Sequence, residues 1–226
     1  MNPGETFSLN GYTGPRGEEQ GYVSSGIILN GRADKAVGGG ISQFATTLYN
    51  AAYFAGMTDV AHTPHSYYIS RYPAGREATV YEGSIDLQFR NDSTHPVKIT
   101  TSLDGELTVN LMGVRSVTVE SVNGGRWDET QPESITVKED CIPSRGAPGF
   151  TTSDTRIIKD LAGNEISRET QTTVYDPQPI VRCEDEAPPR ENEQRDPARS
   201  NPARDTPGRD TGRDTSRRPN LGRGNP

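Results

Sequence analysis

The chain is poor in the residues that most often carry chemistry or cross membranes. Its 226 residues include two cysteines, three histidines and one tryptophan. No stretch approaches the roughly 18 consecutive apolar residues that a membrane-spanning helix needs, so no membrane span is expected in this chain. His62 and His65 are separated by Pro64, which breaks any helix there, and no cysteine lies near enough to complete a ligand set. Neither a metal nor a cofactor is therefore expected. The opening Met1-Asn2-Pro3-Gly4-Glu5 has neither the basic start nor the apolar core of a leader peptide. Its abrupt beginning at a Pro-Gly turn suggests a chain that starts inside a longer one, with an anchor in the missing N-terminal part.

Apolar residues are scarcest at the other end. From 184 to 226 the only aliphatic residues are Ala187, Ala198, Ala203 and Leu221, there is no aromatic, and seven of the chain's 17 prolines fall here. Such a segment cannot bury enough apolar surface to offset the entropy of ordering, so residues 184–226 are expected to be disordered. Arg-Asp-Thr recurs at Arg204, Arg209 and Arg213, a degenerate low-complexity repeat. The nine arginines of this tail balance nine acidic residues, so residues 1–183, with 15 basic and 22 acidic, carry the whole net charge of −7. That balance argues against a nucleic-acid partner for the folded part. The tail reads as a solvated mixed-charge linker, with contact to phosphates or an anionic wall polymer as the alternative.

What remains reads as α+β, mainly antiparallel strands. Residues 2–36 alternate turns (Asn2-Pro3-Gly4, Asn10-Gly11, Gly14-Pro15, Asn30-Gly31) with short strands. Gly38-Gly39-Gly40 then leads into one principal amphipathic helix at about 40–55. Its apolar stripe is Ile41, Phe44, Ala45, Leu48, Ala52 and Ala55, and Gly56 stands where a left-handed cap is expected. Beyond it, Ile85, Leu87 and Phe89 alternate with polar residues, Asn91-Asp92-Ser93 reads as a turn, and His95 to Thr101 reads as the return strand. Asp104-Gly105 signals a hairpin, with Leu107, Val109 and Leu111 following and Val117 and Val119 continuing a meander. A second, small β module is expected over 114–183, with strands at Ile135–Val137, Thr151–Ile158 and Thr170–Val174 and a hairpin turn at Asp160–Glu165. Tyr175-Asp176-Pro177-Gln178-Pro179 is expected to close it, because proline is excluded from central strands. Cys141 and Cys183 bracket the end of this module. A disulfide between them would pin it, by roughly 3–4 kcal/mol on the loop-entropy account. Two unrelated thiols are the alternative, since spacing alone cannot make them adjacent.

Several motifs, in order, resemble the VanW family of bacterial cell-envelope proteins. They are Asn2-Pro3-Gly4-Glu5-Thr6-Phe7-Ser8-Leu9-Asn10, Gly14-Pro15-Arg16, Gly21-Tyr22, Gly38-Gly39-Gly40-Ile41-Ser42-Gln43 with Thr46 to Ala51, Pro64-His65-Ser66, Gly75 to Val80 and Asp86 to Asn91. The resemblance covers residues 1–113, about half the chain. Residues 114–183 look more weakly like the glycine-rich β module that follows VanW in many exported proteins, through Gly146-Ala147-Pro148-Gly149, Arg156, Asp160, Gly163, Glu165 and Arg168-Glu169. Such modules are associated with the cell wall and polysaccharide. The family takes its name from glycopeptide-resistance gene clusters, where it is an accessory member. The resemblance therefore implies an extracytoplasmic, wall-associated protein that binds peptidoglycan or a related polymer, and no defined reaction.

One constellation offers chemistry. A glycine run opening a helix presents unpaired N–H groups and a partial positive charge to a first-turn nucleophile. In the family the position of Ser42 is often cysteine. A serine there needs a strong, positioned base, whereas a thiolate needs less help. His65 is the candidate base, with His62 as the alternative; Gln43 is placed to donate to an oxyanion, and Arg71 or Arg76 to hold a carboxylate or phosphate. A hydrolase or transpeptidase acting on wall peptide bonds through Ser42 and His65 is thus the alternative function. The competing reading is structural: three glycines also serve close backbone packing, and Ser42 is a good helix-start residue by itself. The broader expectation is a binding groove lined by Gly39, Gly40, Gln43, His65, Tyr67, Arg71 and Arg76. Asp86 reads as a solvated strand residue or as a partner for a histidine, and His95 as structural.

Overall fold

The computed structural model describes residues 1–29 and 32–184. Apart from Glu184, the tail expected to be disordered lies outside the described residues. The first half runs β1 (Thr6–Ser8), α1 (Leu9–Thr13), a 3-10 turn at Glu18–Gln20, β2 (Ser24–Leu29), β3 (Arg32–Val37), α2 (Ile41–Phe54), β4 (Thr58–Ala61), β5 (Gln88–Arg90), β6 (Lys98–Asp104) and β7 (Glu106–Met112). The second half is all strand: β8 (Val117–Thr130), β9 (Ser134–Val137), β10 (Ser144–Ala147), β11 (Gly149–Asp160), β12 (Glu165–Tyr175) and β13 (Gln178–Cys183). The architecture is α+β and mainly antiparallel β.

Helix α2 buries Ala45, Leu48, Tyr49, Ala52 and Tyr53. These pack with Leu9, Met57, Ala78, Val80, Leu87, Phe89 and Val97 into one core. Leu48, Leu87 and Phe89 are almost wholly buried, and each contributes roughly 1.5–3 kcal/mol on the transfer scale. The helix ends as its sequence dictates. Gly56 takes a left-handed φ of 75°; its N–H donates to Tyr53 O, and Met57 N–H donates to Ala52 O. That satisfies carbonyls the last turn would otherwise leave open. A Cβ on Gly56 would sit 2.5 Å from a Val117 methyl, so the same glycine lets β8 approach the helix.

The strand pairing departs from the expected meander. β5 is central between β1 and β4, so the alternation at Ile85–Phe89 marked a strand correctly but not its neighbours. Asn91 does not make a hairpin turn. It is fully buried, accepts from Ser93 N–H and donates to His95 O, organising a loop. β6 and β7 form the expected hairpin around Asp104-Gly105 and pair only with each other. Val117 and Val119 belong to β8, which joins β11 and β12 in a separate sheet. Asn10-Gly11, read as a turn, lies inside α1.

Pro179 also corrects the sequence reading, because it lies in β13, the central strand of the β10-β13-β9 sheet. Its missing N–H does no harm there. The ladder to β10 pairs Gln178 and Ile180 but skips Pro179, and the ladder to β9 begins only at Ile180. Cys141 and Cys183 form a disulfide with Cα atoms 5.7 Å apart, tying the end of β13 to the segment between β9 and β10. The described residues all belong to one compact unit, Met1–Ala187.

Asp86 is neither a solvated face residue nor a histidine's partner. It accepts hydrogen bonds from Ser8 Oγ at 2.6 Å, Asn10 N–H at 2.9 Å and Gln88 Nε2 at 2.9 Å. Ser8 in turn caps α1 by accepting from Gly11 N–H. Burial raises the carboxyl's pKa, but these hydrogen bonds outweigh it and hold it below the ordinary value. A depressed carboxylate stabilises the fold above its unfolded pKa, and that contribution is lost as pH falls through the folded value. Replacing Asp86 by Asn should therefore cost about 1–2 kcal/mol at neutral pH. Urea unfolding at pH 7 and below pH 3 should show the gap between the two proteins closing in acid; an equal gap at both would refute the assignment.

Candidate functional site

The glycine run is shaped by backbone demands. Gly40 is the residue before α2 and has φ 85°. At Gly39 a Cβ would lie 2.4 Å from Ser25 O and 3.0 Å from Ala36 O, so only glycine fits between β2, β3 and the helix start. Gln43 is exposed, and its N–H donates to Gly40 O. Ser42 makes no capping bond; its hydroxyl pairs with Thr79 Oγ1 at 3.1 Å.

The stretch 76–79 runs antiparallel along α2. Asn50 Nδ2 donates to Arg76 O, Thr46 Oγ1 to Ala78 O, and Ser42 meets Thr79. Thr79 bridges to Thr63, which brings the Thr63-Pro64-His65 segment alongside. His65 Nδ1 lies 2.8 Å from Glu77 Oε2. Glu77 is fully buried, and its other oxygen has no hydrogen-bond partner among the described residues. The imidazole stacks on Tyr72 at 5.5 Å, and the guanidinium of the exposed Arg71 lies over the same Tyr72 ring, 5.6 Å from its centre. Tyr67 is half-buried on the same segment.

The predicted residues are thus gathered only in part. Ser42 and His65 share no hydrogen bond: Ser42 is paired with Thr79, His65 with Glu77. Arg76 is turned away. Its guanidinium lies over Phe54 at 4.9 Å and Tyr53 at 5.5 Å, and 3.9 Å from Asp154. Eight residues of helix, about 12 Å, separate Asn50 beside Arg76 from Ser42. His62 is bonded to Asp59 through Nδ1 and to Gln171 through Nε2, and stacks on Tyr49 at 4.3 Å. Among the described residues no cluster of three or more His, Cys, Asp or Glu could hold a metal, and no helix is long and apolar enough to cross a membrane.

A second polar assembly lies where α2 meets β11 and β12. Asp154 is buried and accepts from Tyr53 OH at 3.0 Å and Ser121 Oγ at 2.6 Å. Arg156, also buried, donates through Nη2 to Tyr53 O at 2.6 Å and Met57 O at 3.0 Å, capping the helix end. Burial and the Asp154 carboxylate push the Tyr53 phenol well above its usual range. Burial and Asp59 do the same for Tyr49. Tyr175 accepts from Gly75 N–H at 2.9 Å, and burial with the adjacent Glu77 raises its phenol too. Tyr49, Tyr53, Asp154 and Arg156 line a cavity of about 190 Å³, whose lining also includes Asp59, Phe89, Glu169 and Gln171.

The sequence reading missed Glu77 and this cavity. Glu77 had a signal: an acidic residue beside Ala78 and Val80, two residues the fold buries. Asp154 and Arg156 alternate with Thr and Ile in a recognised strand, which places both charges on one face.

The comparisons fit the first half of the chain. The model of the VanW like protein family matches residues 1–112. The uncharacterized protein YoaR of Bacillus subtilis (strain 168) is 41% identical over 97 residues, covering 43% of this chain and 32% of that protein. The vancomycin B-type resistance protein VanW of Enterococcus faecalis (strain ATCC 700802 / V583) is 28% identical over 113 residues, covering 47% of this chain and 40% of that protein. The matched part of the chain therefore spans only about a third to two fifths of these relatives. No solved structure matches the chain. The motifs around Gly38–Gln43, His65 and Glu77 all lie inside the matched residues, and residues 1–112 are a VanW-like domain.

Proposed function

We propose that the protein works outside the cytoplasmic membrane, in the cell envelope, and binds peptidoglycan or a related wall polymer. The observation that carries the reading is the VanW-like domain at 1–112, with a relative named as a vancomycin B-type resistance protein. The Cys141–Cys183 disulfide supports an oxidising location. The proposed contact surface runs from Gly39, Gly40 and Gln43 past Ser42 to His65, Tyr67 and Arg71, a reading supported by the Ser42–Thr79 and His65–Glu77 pairs on adjoining segments. Arg76 is left out, since it faces Asp154. We propose that residues 114–183 are the wall-associated β module and the segment beyond 184 its linker. Sedimentation with purified peptidoglycan tests this: the protein should pellet with the wall, and Arg71→Ala with Gln43→Ala should pellet less. Retention no greater than that of an unrelated β-protein would rule it out.

The second reading is a hydrolase or transpeptidase of wall peptide bonds through Ser42 and His65. It is favoured by one observation: a buried carboxylate holds His65 at Nδ1, the arrangement that orients a general base. It requires Ser42 to leave Thr79 for the histidine. Mass analysis of wall fragments incubated with the protein, and with Ser42→Cys, decides it; no new product with either ends this reading.

A further inference from the structure

The cavity between α2 and the β11–β12 sheet holds an unusual pair. Arg156 and Glu169 face each other directly across the β11–β12 ladder. Both line the cavity. Opposite charges on one rung normally pair, yet these two form no salt bridge within the 4.0 Å that marks the other ion pairs. The reason lies on the helix: both hydrogen bonds of Arg156 use Nη2 and go to Tyr53 O and Met57 O, which draws the guanidinium toward the end of α2. Its buried Nε–H is left with no acceptor among the described residues. Glu169, its neighbour on the rung, is exposed. Two more carboxylates line the cavity: Asp154, whose oxygens are held by Tyr53 OH and Ser121 Oγ, and Asp59, whose Oδ2 is held by His62 and Tyr49 while no hydrogen bond from a described residue reaches its Oδ1; Tyr49, Tyr53 and Phe89 supply aromatic walls.

We infer that this cavity is a binding site for an α-amino-acid head group, an ammonium and a carboxylate on one carbon. The carboxylate accepts from Arg156 Nη1, the nitrogen that the helix end does not use and that burial does not seal off as it does Nε. The ammonium lies between Glu169 and Asp59 and against the aromatic walls. Single-charge ligands satisfy one side and leave the other desolvated and unpaired, so the site selects the zwitterion. A volume of about 190 Å³ suits a head group with a short side chain. The source is either a free amino acid or the amino-acid end of a wall peptide's diamino-acid side chain. The site is separate from the groove around Ser42 and His65, and the inference stands or falls without the wall-binding reading.

Calorimetric titration of the full chain with D-alanine, L-alanine, propionate and ethylamine tests it. Alanine of one or both hands should bind, with propionate and ethylamine weaker by about tenfold or more, the loss of one charge-assisted contact. Glu169→Gln changes an exposed residue, should leave thermal unfolding unchanged, and should weaken alanine by a similar factor. A wall tripeptide with a free diamino-acid end, and the same peptide N-acetylated at that end, separate the sources. Binding by the free-ended peptide that acetylation abolishes assigns the wall peptide. Alanine binding with no tripeptide binding assigns the free amino acid. Absence of binding by alanine and tripeptide alike overturns the inference, as does binding that Glu169→Gln leaves intact. Alanine titration of Arg71→Ala with Gln43→Ala, residues that do not line the cavity, should be as for the parent, which keeps this test apart from that of the groove.

Discussion

Glu77→Ala should destabilise the protein by about 2–4 kcal/mol, the combined cost of opening a void and leaving a buried hydrogen-bonding group without its partner, and lower the unfolding midpoint by roughly 5–10 °C for a unit of this size. Glu77 is fully buried. One of its oxygens holds His65 Nδ1 at 2.8 Å, and its charge, after burial itself, helps hold the Tyr175 phenol in its neutral form. Removing the carboxylate therefore opens a void and strands an imidazole that was oriented by it. His65→Ala should cost a comparable amount for the opposite reason, because it leaves a buried carboxylate with no partner at either oxygen. The double variant should be less damaged than the sum of the two, since each single change removes the same interaction. Calorimetric or fluorescence melts of the three variants measure this coupling. Strict additivity, or midpoints within two or three degrees of the parent, would show that the pair does not hold this part of the fold together.

The sequence made local elements legible and their partners illegible. The helix could be read because its stripe from Ile41 to Ala55 repeats at 3 and 4 residues and Gly56 marks the end. The Asp104-Gly105 hairpin and the Asp160–Glu165 turn could be read because turn chemistry is local. The meander failed because alternation tells which face of a strand is buried and not which strand lies beside it. β5 pairs with β1, about 80 residues away in sequence, and no local pattern encodes that distance. Pro179 misled because a general exclusion met a particular register that skips the proline. At the candidate site, the family motifs brought Gly38–Gln43, His65 and Arg76 into view as separate segments, and Glu77 was passed over. Only the three-dimensional pairing shows that Ser42 faces Thr79 while His65 faces Glu77. Arg76 was assigned to the groove from its motif neighbours, but its side chain was drawn off by Asp154, a residue from the other half of the chain.

Ending the chain at Gly113, close to where the family match stops, should yield a fragment that loses cooperative folding. We propose that residues 1–113 and 114–183 are two sequence modules but not two folding units. The interactions that cross the boundary are buried and polar, and therefore costly to leave unmade. Arg156 caps Tyr53 O and Met57 O; Asp154 accepts from Tyr53 OH; Tyr175 accepts from Gly75 N–H; Gln171 holds His62. Without the second module, Tyr53, Met57 and Glu77 would face water, and α2 would lose the donors at its end. Each broken contact costs about 0.5–1.5 kcal/mol net once its partner meets water, and the five together reach into the roughly 5–15 kcal/mol that stabilises a typical domain. The fragment should keep helical and strand signals in the far ultraviolet while losing its near-ultraviolet aromatic signal and its sharp thermal transition. A fragment of residues 1–113 that melts cooperatively within about 5 °C of the full chain would show the reverse: the VanW-like domain would be self-sufficient, and the contacts from β11 and β12 would add specificity at the cavity without carrying the fold.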